Sequence, residues 1–466
     1  MGELVTFEEL ARVSEQLKKE GKTLVQCHGV FDLLHPGHVK HLEAARRQGD
    51  VLVVTVTPDK YVNKGPGRPI FGERLRAETI AALGCVDYVA INKWPTAVES
   101  IKMLKPDVYA KGSDYSDRES DITGGITLEE EAVRSVGGRI HFTSEISFSS
   151  SELINRYLSP YPEEAREFLQ GFRQRYSAEG VISKLKSLRK TRVLVIGENI
   201  TDKYVYVTPL GKSPKENLIP MRYRYEESYE GGALVIAKQM REFCDVVDYQ
   251  PPQPGVTKIR YIDPTFFTKI FEYQILPEKI RLELSGDAVK QFDLVVVCDF
   301  GHGLFDDELM EKVYKSNFLA LNVQTNSANL GFNLITKYKR ANFFCIDEPE
   351  LRLAYHRKDI DIKVLSGWLG HDLGCDKGVV TLGHKGSVVY SDGQVFHIPV
   401  LSKEAKDRLG AGDAYFALAS LCAFGDFPPE VIGFIGNAIA ALKVGVIGNK
   451  IIDRVSLFKF ITALLS

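Results

Sequence analysis

Residues 23–38 read TLVQCHGVFDLLHPGH, and this stretch decides the fold of the N-terminal third of the chain. Its first five residues are mostly apolar or β-branched, as in a buried strand, and residues 39–47 have the periodicity of a helix. Gly29 and Gly37 lie in the loop between them, where they let the backbone approach a ligand closely. A helix start presents unpaired amides and a partial positive charge, which suit a phosphate group. The stretch therefore predicts a phosphate-binding turn in an α/β fold.

Two histidines, His35 and His38, stand at the start of this expected helix. Since they are three residues apart, both imidazoles can point at one phosphate and donate hydrogen bonds to it. Such donors stabilise the charge that builds on an α-phosphate while pyrophosphate leaves. A metal site that includes His41 and ordinary surface histidines are the two alternatives. The position after a strand, bounded by glycines, favours the phosphate role.

Short β-rich runs alternate with helical stretches along most of the chain, which is typical of parallel α/β sheets. In the first part the runs lie at 23–27, 51–56, 88–91, 108–110 and 139–142. In the second part they lie at 192–197, 294–297, 318–321, 343–346 and 379–382. Arginine and tyrosine alternate at 222–225, which favours a small sheet with one exposed face. We expect a doubly wound, Rossmann-like α/β domain at 1–158, a linker with a connecting helix at 159–190, and a second α/β domain at 191–466.

A second glycine-rich turn, GAGD at 410–413, leads from a polar loop into an apolar helical run. Such a turn forms an anion hole for a migrating γ-phosphoryl group, and a carboxylate at its end can take the proton of an attacking hydroxyl. We therefore predict that Asp413 is a general base. The alternative is a glycine-rich loop with an aspartate that caps the helix. The spacing does not let the two turns share one active site.

The composition of the 466 residues is that of a soluble globular protein, with 44% hydrophobic and 26% charged residues. The 59 basic and 61 acidic side chains nearly balance, which argues against a nucleic-acid partner. No stretch approaches the roughly 20 apolar residues of a membrane span, so we expect no membrane partner and a cytoplasmic protein. The seven cysteines form no Cys-x-x-Cys pair, which favours buried free thiols over disulfides or a metal site.

The block from Gly29 to His38 resembles the Gly-x-Phe-Asp-x-x-His-x-Gly-His signature of the cytidylyltransferase-like nucleotidyltransferases, and the resemblance continues to Tyr157. It implies catalytic roles for His35, His38, Lys64 and Arg74. It implies nucleotide-binding roles for Gly29, Phe31, Asp32, Gly37, Ser149, Ser150 and Ser151. The segment KGSDY at 111–115 is similar to the acceptor-phosphate loop of heptose phosphate adenylyltransferases, which implies substrate contacts for Lys111 and Asp114.

The GAGD block resembles the second signature of the ribokinase-like carbohydrate kinases, and the resemblance covers roughly residues 192–466. It implies nucleotide-binding roles for Thr381, Gly383, Gly386, Gly410, Ala411, Gly412 and Asn437. It implies substrate-binding roles for Asn199, Asp202, Gly231 and Gly232, with the sheet around 223–229 as a lid. The usual aspartate after Gly197 is Glu198 here, and Leu234 follows the glycine pair where an asparagine is common. These departures fall on the substrate side, so a domain that only binds ligand or holds a dimer stays open.

Both resemblances occur together in bifunctional enzymes that make nucleotide-activated heptose for bacterial surface polysaccharide, although there the kinase usually comes first. The resemblance implies an ADP-heptose-like product, with pyrophosphate released. It implies Mg²⁺ and ATP for the kinase, ATP or CTP for the transferase, a sugar phosphate as substrate, and a homodimer through the lid. One alternative is a CTP-using cytidylyltransferase for a sugar or polyol phosphate whose kinase-like domain is non-catalytic. Another is a transferase that makes a dinucleotide or coenzyme.

Overall fold

The computed structural model describes residues 2–62, 65–112, 125–143, 161–285, 287–402 and 405–466. The chain divides into two compact units. Unit 1 contains Met1–Pro160 together with Phe458–Ser466, and unit 2 contains Tyr161–Leu457. Among the described residues, the helices are all too short or too polar to cross a lipid bilayer.

Unit 1 is built on a parallel six-stranded sheet with the order β1-β4-β3-β2-β5-β6. Its strands are β1 (Glu3–Leu4), β2 (Leu24–Gly29), β3 (Val51–Val56), β4 (Tyr88–Ile91), β5 (Val108–Gly112) and β6 (Arg139–Thr143). Its helices are α1 (Phe7–Lys19), α2 (Pro36–Arg46), α3 (Glu73–Ala81), α4 (Val98–Leu104) and α5 (Gly125–Ser135). The predicted doubly wound α/β fold is confirmed.

Helices cover both faces of this sheet, which explains why β3 reads as an unbroken apolar run with every residue buried. Leu42 of α2 and Ile80 of α3 belong to one apolar cluster, while Leu10 of α1 and Leu104 of α4 belong to another. The strand order reverses between β2 and β5. The loop after β2 therefore lies at a topological switch point, where open α/β sheets bind their ligands.

Unit 2 contains an eight-stranded sheet with the order β10-β7-β13-β14-β15-β16-β17-β18, parallel from β10 to β16 and antiparallel beyond. Its strands are β7 (Arg192–Gly197), β10 (Val246–Tyr249), β13 (Leu294–Asp299), β14 (Leu319–Val323), β15 (Phe343–Asp347), β16 (Lys377–Thr381), β17 (Ser387–Ser391) and β18 (Gln394–Ile398). The surrounding helices are α6 (Glu163–Arg173), α7 (Ala178–Ser187), α8 (Ala233–Arg241), α9 (Asp307–Val313), α10 (Glu348–Tyr355), α11 (Ile362–Leu373), α12 (Ala411–Phe424) and α13 (Pro429–Lys443). The last helix is α14 (Arg454–Leu465), whose residues from Phe458 onward belong to unit 1.

Helices α6 and α7 occupy the segment for which we predict a linker with a connecting helix. They pack within unit 2, where the Phe172 ring of α6 stacks on Phe434 of α13 with 4.5 Å between ring centroids. Burial of Leu169 and Phe172 on one face of α6 gives that helix its place in the core of unit 2. The segment is therefore structured along most of its length.

A separate four-stranded sheet in unit 2, the lid sheet, has the order β12-β11-β8-β9. Its strands are β8 (Asn199–Pro209), β9 (Met221–Gly232), β11 (Val256–Asp263) and β12 (Thr268–Ile275). Tyr204, Tyr206 and Ile262 are buried together on one face. The aromatic side chains of Tyr223 and Phe271 are more than half exposed, as expected of a sheet with one covered face.

Candidate active sites

The histidine motif of unit 1 forms the loop after β2 and the first turn of α2. His35 is the N-cap residue and Pro36 the first helical residue, so the Gly37 amide precedes the first helical hydrogen bond, while the amides of His38 and Val39 donate to His35 O at 2.9 and 3.3 Å. The rings of His35 and His38 stack with 3.9 Å between centroids, and His35 is buried. The Phe31 ring lies edge-on to His38 at 5.3 Å. The structure thus brings both imidazoles and the positive end of α2 to one point.

Gly29 lies so close to the Phe31 ring that a larger residue would not fit there. Phe31 has a left-handed backbone with φ of 50°, and its ring would lie 3.1 Å from a Cβ placed on Gly29. Real Cβ contacts are rarely that short, so a larger residue at Gly29 would displace the Phe31 ring and with it the edge contact to His38. Gly29 therefore shapes the site, in addition to the nucleotide contact that the sequence predicts.

Asp32 faces inward rather than toward the open side of the loop. Its buried carboxylate accepts hydrogen bonds from the amides of Ile70 at 2.7 Å and Phe71 at 3.3 Å, and it pairs with buried Arg68 at 3.3 Å. The family resemblance implies a nucleotide contact for Asp32. The structure instead gives it the task of fixing the loop 65–71, because its oxygens are already used by that loop.

Arg74 extends into solvent, which does not support the catalytic role that we predict for it. Its side chain is 84% exposed and pairs with Glu78 on the outer surface of α3. Arg76 is buried, and its guanidinium donates to the carbonyl oxygens of Val30, Thr57 and Phe71. Residues two apart on a helix point to nearly opposite sides, so only one of the two arginines can face the strand ends. Their spacing in the sequence does not show which one does.

Arg76 should be a main stabiliser of unit 1. We expect Arg76→Met to lower the free energy of unfolding by about 3 kcal/mol, since it removes a buried cation and leaves buried acceptors unpaired. Arg74→Met is the matched control on the same helix, and we expect it to change stability by less than about 0.5 kcal/mol. Urea unfolding followed by circular dichroism measures both. Equal stabilities of the two variants would contradict this assignment.

The other predicted transferase residues are placed only in part. Lys111 of β5 is largely buried, and its Nζ lies 2.6 Å from Glu129 Oε2 of α5, so an acceptor phosphate would have to share or displace that partner. Lys64, Asp114, Ser149, Ser150 and Ser151 lie outside the described residues. His41, the third histidine of the metal alternative, bonds Thr143 at 2.8 Å, and burial lowers its pKa to about 4.

Sequence reasoning missed one further histidine beside this motif. His28 of β2 contacts the hydroxyls of Thr55 at 2.9 Å and Thr57 at 3.2 Å, and burial lowers its pKa to about 3. It is therefore neutral at physiological pH and links the end of β2 to β3. The sequence places His28 in the strand before the motif, but it does not show that His28 contacts Thr55 and Thr57, which lie in and just after β3.

In unit 2 the GAGD turn opens α12. Gly410 has φ of 70°, and a Cβ there would lie 2.0 Å from Asn449 Oδ1, so only glycine fits. The first hydrogen bond of the helix runs from Ala414 N to Gly410 O. The amides of Gly412 and Asp413 therefore precede the hydrogen-bonded part of the helix. Ala411 is the first residue of the helix. The turn thus has the geometry of an anion hole at a helix N-terminus.

Asp413 has the properties of a base poised near neutral pH. Its Oδ1 accepts a hydrogen bond from Gln324 Nε2 at 3.1 Å. Burial raises its pKa to about 6, and Asp202 acts in the same direction, while Gln324, Lys443 and Lys258 oppose the shift. A carboxylate with this pKa is ionised at pH 7 and still basic enough to accept a proton.

The predicted substrate residues of unit 2 lie together where the lid sheet begins. Asn199 and Gly232 are paired across β8 and β9. Asp202 is buried, and a Cβ on Gly231 would lie 2.5 Å from its Oδ2, so the absence of a side chain makes room for this carboxylate. Gly232 has φ of 62°, which turns the chain into α8.

Three residues that are cationic or can become cationic were not identified from the sequence, and two of them lie beside Asp202. Arg260 forms an ion pair with Asp202 and lies 2.8 Å from Glu272. Lys258 is opposite Asp202 in the β8–β11 register, and its pKa is lowered by burial. His302, in the loop after β13, also has its pKa lowered by burial, to about 4, with a smaller contribution from Lys258. The alternation of basic and apolar residues at 258–260 indicates a strand, but it does not show which strand lies beside it.

The departure at Glu198 has a structural explanation. Its buried carboxylate accepts hydrogen bonds from the amides of Phe300 at 3.0 Å and His302 at 3.1 Å. Burial, and then Asp299, raises its pKa to about 7. Glu198 therefore organises the loop that carries His302.

On the predicted nucleotide side, Thr381 ends β16, and Gly383 and Gly386 form the turn to β17 with φ of 60° and 91°. A Cβ on Gly386 would lie 2.1 Å from Ile398 O, so the residue must be glycine. Asn437 of α13 is buried, and its Nδ2 donates to the carbonyl oxygens of Ile398 and Pro399 at 2.9 and 3.1 Å. Its amide group thus braces the edge of the sheet.

Two family models match separate parts of the chain. Residues 27–156 match the cytidylyltransferase-like family model, and residues 275–452 match the model of pfkB family carbohydrate kinases. The chain joins a cytidylyltransferase-like domain to a pfkB family kinase domain. Both resemblances stated above are confirmed, and the order of the domains is the one that the sequence predicts.

The chain is similar to bifunctional protein HldE of Syntrophotalea carbinolica, with 40% identity over 159 residues, 34% of this chain and 31% of the relative. It is 43% identical to bifunctional protein HldE of Pelobacter propionicus over 155 residues, 33% of this chain and 30% of that one. The match lies in the cytidylyltransferase-like domain and spans about a third of the length of these relatives. A ribokinase from Thermotoga maritima has 16% identity and a TM-score of 0.44, covering 58% of this chain and 99% of its own.

Proposed function

We propose that this chain phosphorylates a sugar phosphate in its kinase domain and joins a sugar phosphate to a nucleotide in its cytidylyltransferase-like domain. The products would be ADP, pyrophosphate and a nucleotide-activated sugar of the ADP-heptose type, as used for surface polysaccharide. The observation that carries the proposal is the presence, in each unit, of a phosphate-binding helix start with reactive side chains of its own. These are the stacked imidazoles of His35 and His38 in unit 1 and the carboxylate of Asp413 in unit 2.

In the transferase reaction, a phosphate oxygen of the sugar phosphate attacks the α-phosphorus of ATP or CTP. The bond between the α-phosphorus and the bridging oxygen breaks, and pyrophosphate leaves with the bonding electrons. His35, His38 and the first turn of α2 lie together and compensate the negative charge that grows on the α-phosphate. The buried position of His35 strengthens this effect, because water screens the charge less there.

In the kinase reaction, Asp413 accepts the proton of a sugar hydroxyl whose oxygen attacks the γ-phosphorus of ATP. The bond between the γ-phosphorus and the β–γ bridging oxygen breaks, and ADP leaves with the bonding electrons. Asp202 and Asn199 would bind other hydroxyls of the sugar, and the turn 410–412 would hold the phosphoryl oxygens. Asp347 and Glu350, at the end of β15, offer the carboxylate oxygens that Mg²⁺ prefers. They form a reciprocal cap at the start of α10, with a bond of 2.7 Å from Glu350 N to Asp347 Oδ1. Both Glu350 oxygens also accept hydrogen bonds from the amides of Asp347 and Thr325, so Mg²⁺ would have to share or displace those bonds. Bound there, the ion would neutralise phosphate charge.

The acid side of the kinase pH profile should report Asp413. Because its pKa is raised to about 6, the carboxylate loses its charge as the pH falls through 6. We expect kcat/KM for ADP release to be level near pH 7 and to fall about tenfold per unit below 6. Initial rates between pH 5 and 7 with saturating ATP measure this limb. A rate that stays constant down to pH 5 would contradict a role for this carboxylate.

Two assays on the full-length protein test the proposal as a whole. The first follows ADP release with ATP and a panel of sugars and sugar phosphates, and the second follows pyrophosphate release with ATP or CTP and sugar 1-phosphates. Release of both products supports two activities. Pyrophosphate release without ADP release would favour the alternative of a non-catalytic kinase-like domain. The nucleotide choice, a homodimer through the lid sheet and a cytoplasmic location stay predictions.

A further inference from the structure

Lys443, the last residue of α13, is a lysine with no exposed surface. Lysine is almost never fully buried, because an ammonium group taken from water loses much of its hydration energy. Its Nζ donates to the carbonyl oxygen of Lys450 at 2.6 Å and to that of Gly448 at 3.4 Å. A monovalent cation that has lost its hydration shell is held by carbonyl oxygens in the same way.

The ammonium lies directly behind the anion-binding turn of the kinase domain. The Lys443 Cε would be 3.1 Å from a Cβ placed on Gly410, the first residue of that turn. Asp413 and then Asp407 favour the charged form of the lysine. Asp407 already has other partners, since it accepts from Lys269 Nζ at 3.0 Å and from Gly448 N at 3.1 Å. The positive charge of Lys443 is thus directed mainly at the turn and Asp413.

We infer that the Lys443 ammonium is a built-in monovalent cation, which stabilises through the Gly410–Gly412 turn the negative charge of the phosphoryl group being transferred. The inference rests on the proposed kinase function. Lys443 touches no reacting atom on this view and is a positioning residue. Its charge acts over a short distance through a buried, low-dielectric region, where such fields are strong.

The charge of Lys443 should disappear at moderately alkaline pH. Burial lowers its pKa to about 8, against the favourable effect of Asp413 of α12 and Asp407 of the preceding loop. The other groups near it are the phenol of Tyr229 on β9, which lies against Gly448, and Lys269 of β12, which pairs with Asp407. The ammonium is therefore present below pH 8 and lost above it. We expect the kinase rate of the wild type to fall as the pH rises from 7 to 9.

The test compares Lys443→Met with Lys450→Met in the full-length protein. Lys450 has an exposed side chain seven residues away, so its variant loses the same charge but keeps the carbonyl group. ADP release is measured in a tetramethylammonium buffer, with and without 100 mM ammonium or potassium chloride. We expect kcat of Lys443→Met to fall roughly 10- to 100-fold, to recover at least threefold with ammonium or potassium, and to lose the limb near pH 8. The wild type and Lys450→Met should not respond to these ions.

An unchanged kcat in Lys443→Met would overturn the inference. So would a loss of rate that no small cation reduces and that leaves the alkaline limb in place, because Lys443 would then act only through packing. If Lys443→Met does not fold, the wild type decides, and a constant rate from pH 7 to 9 overturns the inference. If the wild type binds ATP without releasing ADP, the proposed function fails separately. The affinity for ATP is then measured instead. A tenfold loss of affinity in Lys443→Met that ammonium restores would support the inference.

Discussion

Asp413→Asn should lower kcat for ADP release about 1,000-fold, which is within the usual contribution of a general base. Asparagine keeps the size of the side chain and can still bond Gln324, but it cannot accept a proton at pH 7. The anion hole and the substrate contacts stay in place, so KM for ATP should change little. A coupled assay for ADP, with the best acceptor from the panel, measures both constants. Pyrophosphate release in the other domain should be unaffected.

Asp426→Asn is the control for this change. Asp426 is an exposed carboxylate beyond the far end of α12, where it pairs with Lys377, and its substitution should leave both activities intact. A rate for Asp413→Asn within threefold of the wild type would mean that another group accepts the proton. A parallel loss of pyrophosphate release would instead point to a general folding defect.

His38→Ala should lower the rate of pyrophosphate release about 100- to 1,000-fold, as does removal of one donor from an oxyanion hole. His35→Ala should have a similar effect, because the stacked rings act on the same phosphate. Since the two residues act as a unit, we expect the double variant to be less than tenfold slower than either single variant. Release of pyrophosphate under saturating nucleotide measures all three rates.

His371→Ala is the matched control, since His371 has a side chain that is 90% exposed and lies in unit 2. The kinase rate serves as an internal check of folding for the His35 and His38 variants. A wild-type rate of pyrophosphate release in either variant would remove the assigned role. It would also remove the proposed transferase activity of unit 1.

The main sheets and the two phosphate turns were predictable from the sequence. Strand β3 has the predicted bounds of 51–56, because a strand covered on both faces must be apolar at every position. The turns were found because each is a contiguous run, at 35–38 and 410–413, whose residue types carry their own chemistry. Local signals of this kind need no knowledge of what lies next to them in space.

The residues that were missed depend on distant partners or on register. Lys258 and Arg260 lie on lid strand β11, and their neighbour Asp202 lies on β8, more than 50 residues earlier, so the pairing could not be inferred without the strand register. The choice between Arg74 and Arg76 depends on where α3 begins, and the carbonyl groups that receive Arg76 belong to other loops. In the same way, nothing in the sequence around Lys443 shows that its ammonium group lies behind Gly410.

A single carboxylate, that of Asp407, connects three separate parts of the kinase domain. Asp407 lies three residues before Gly410 in the sequence. It accepts hydrogen bonds from Lys269 of strand β12, from the hydroxyl of Tyr204 on strand β8 and from the amide of Gly448. If a bound sugar shifts the lid sheet, these hydrogen bonds would shift the phosphate turn together with it. Wasteful transfer of phosphate from ATP to water should be slow for this reason whenever no sugar is bound.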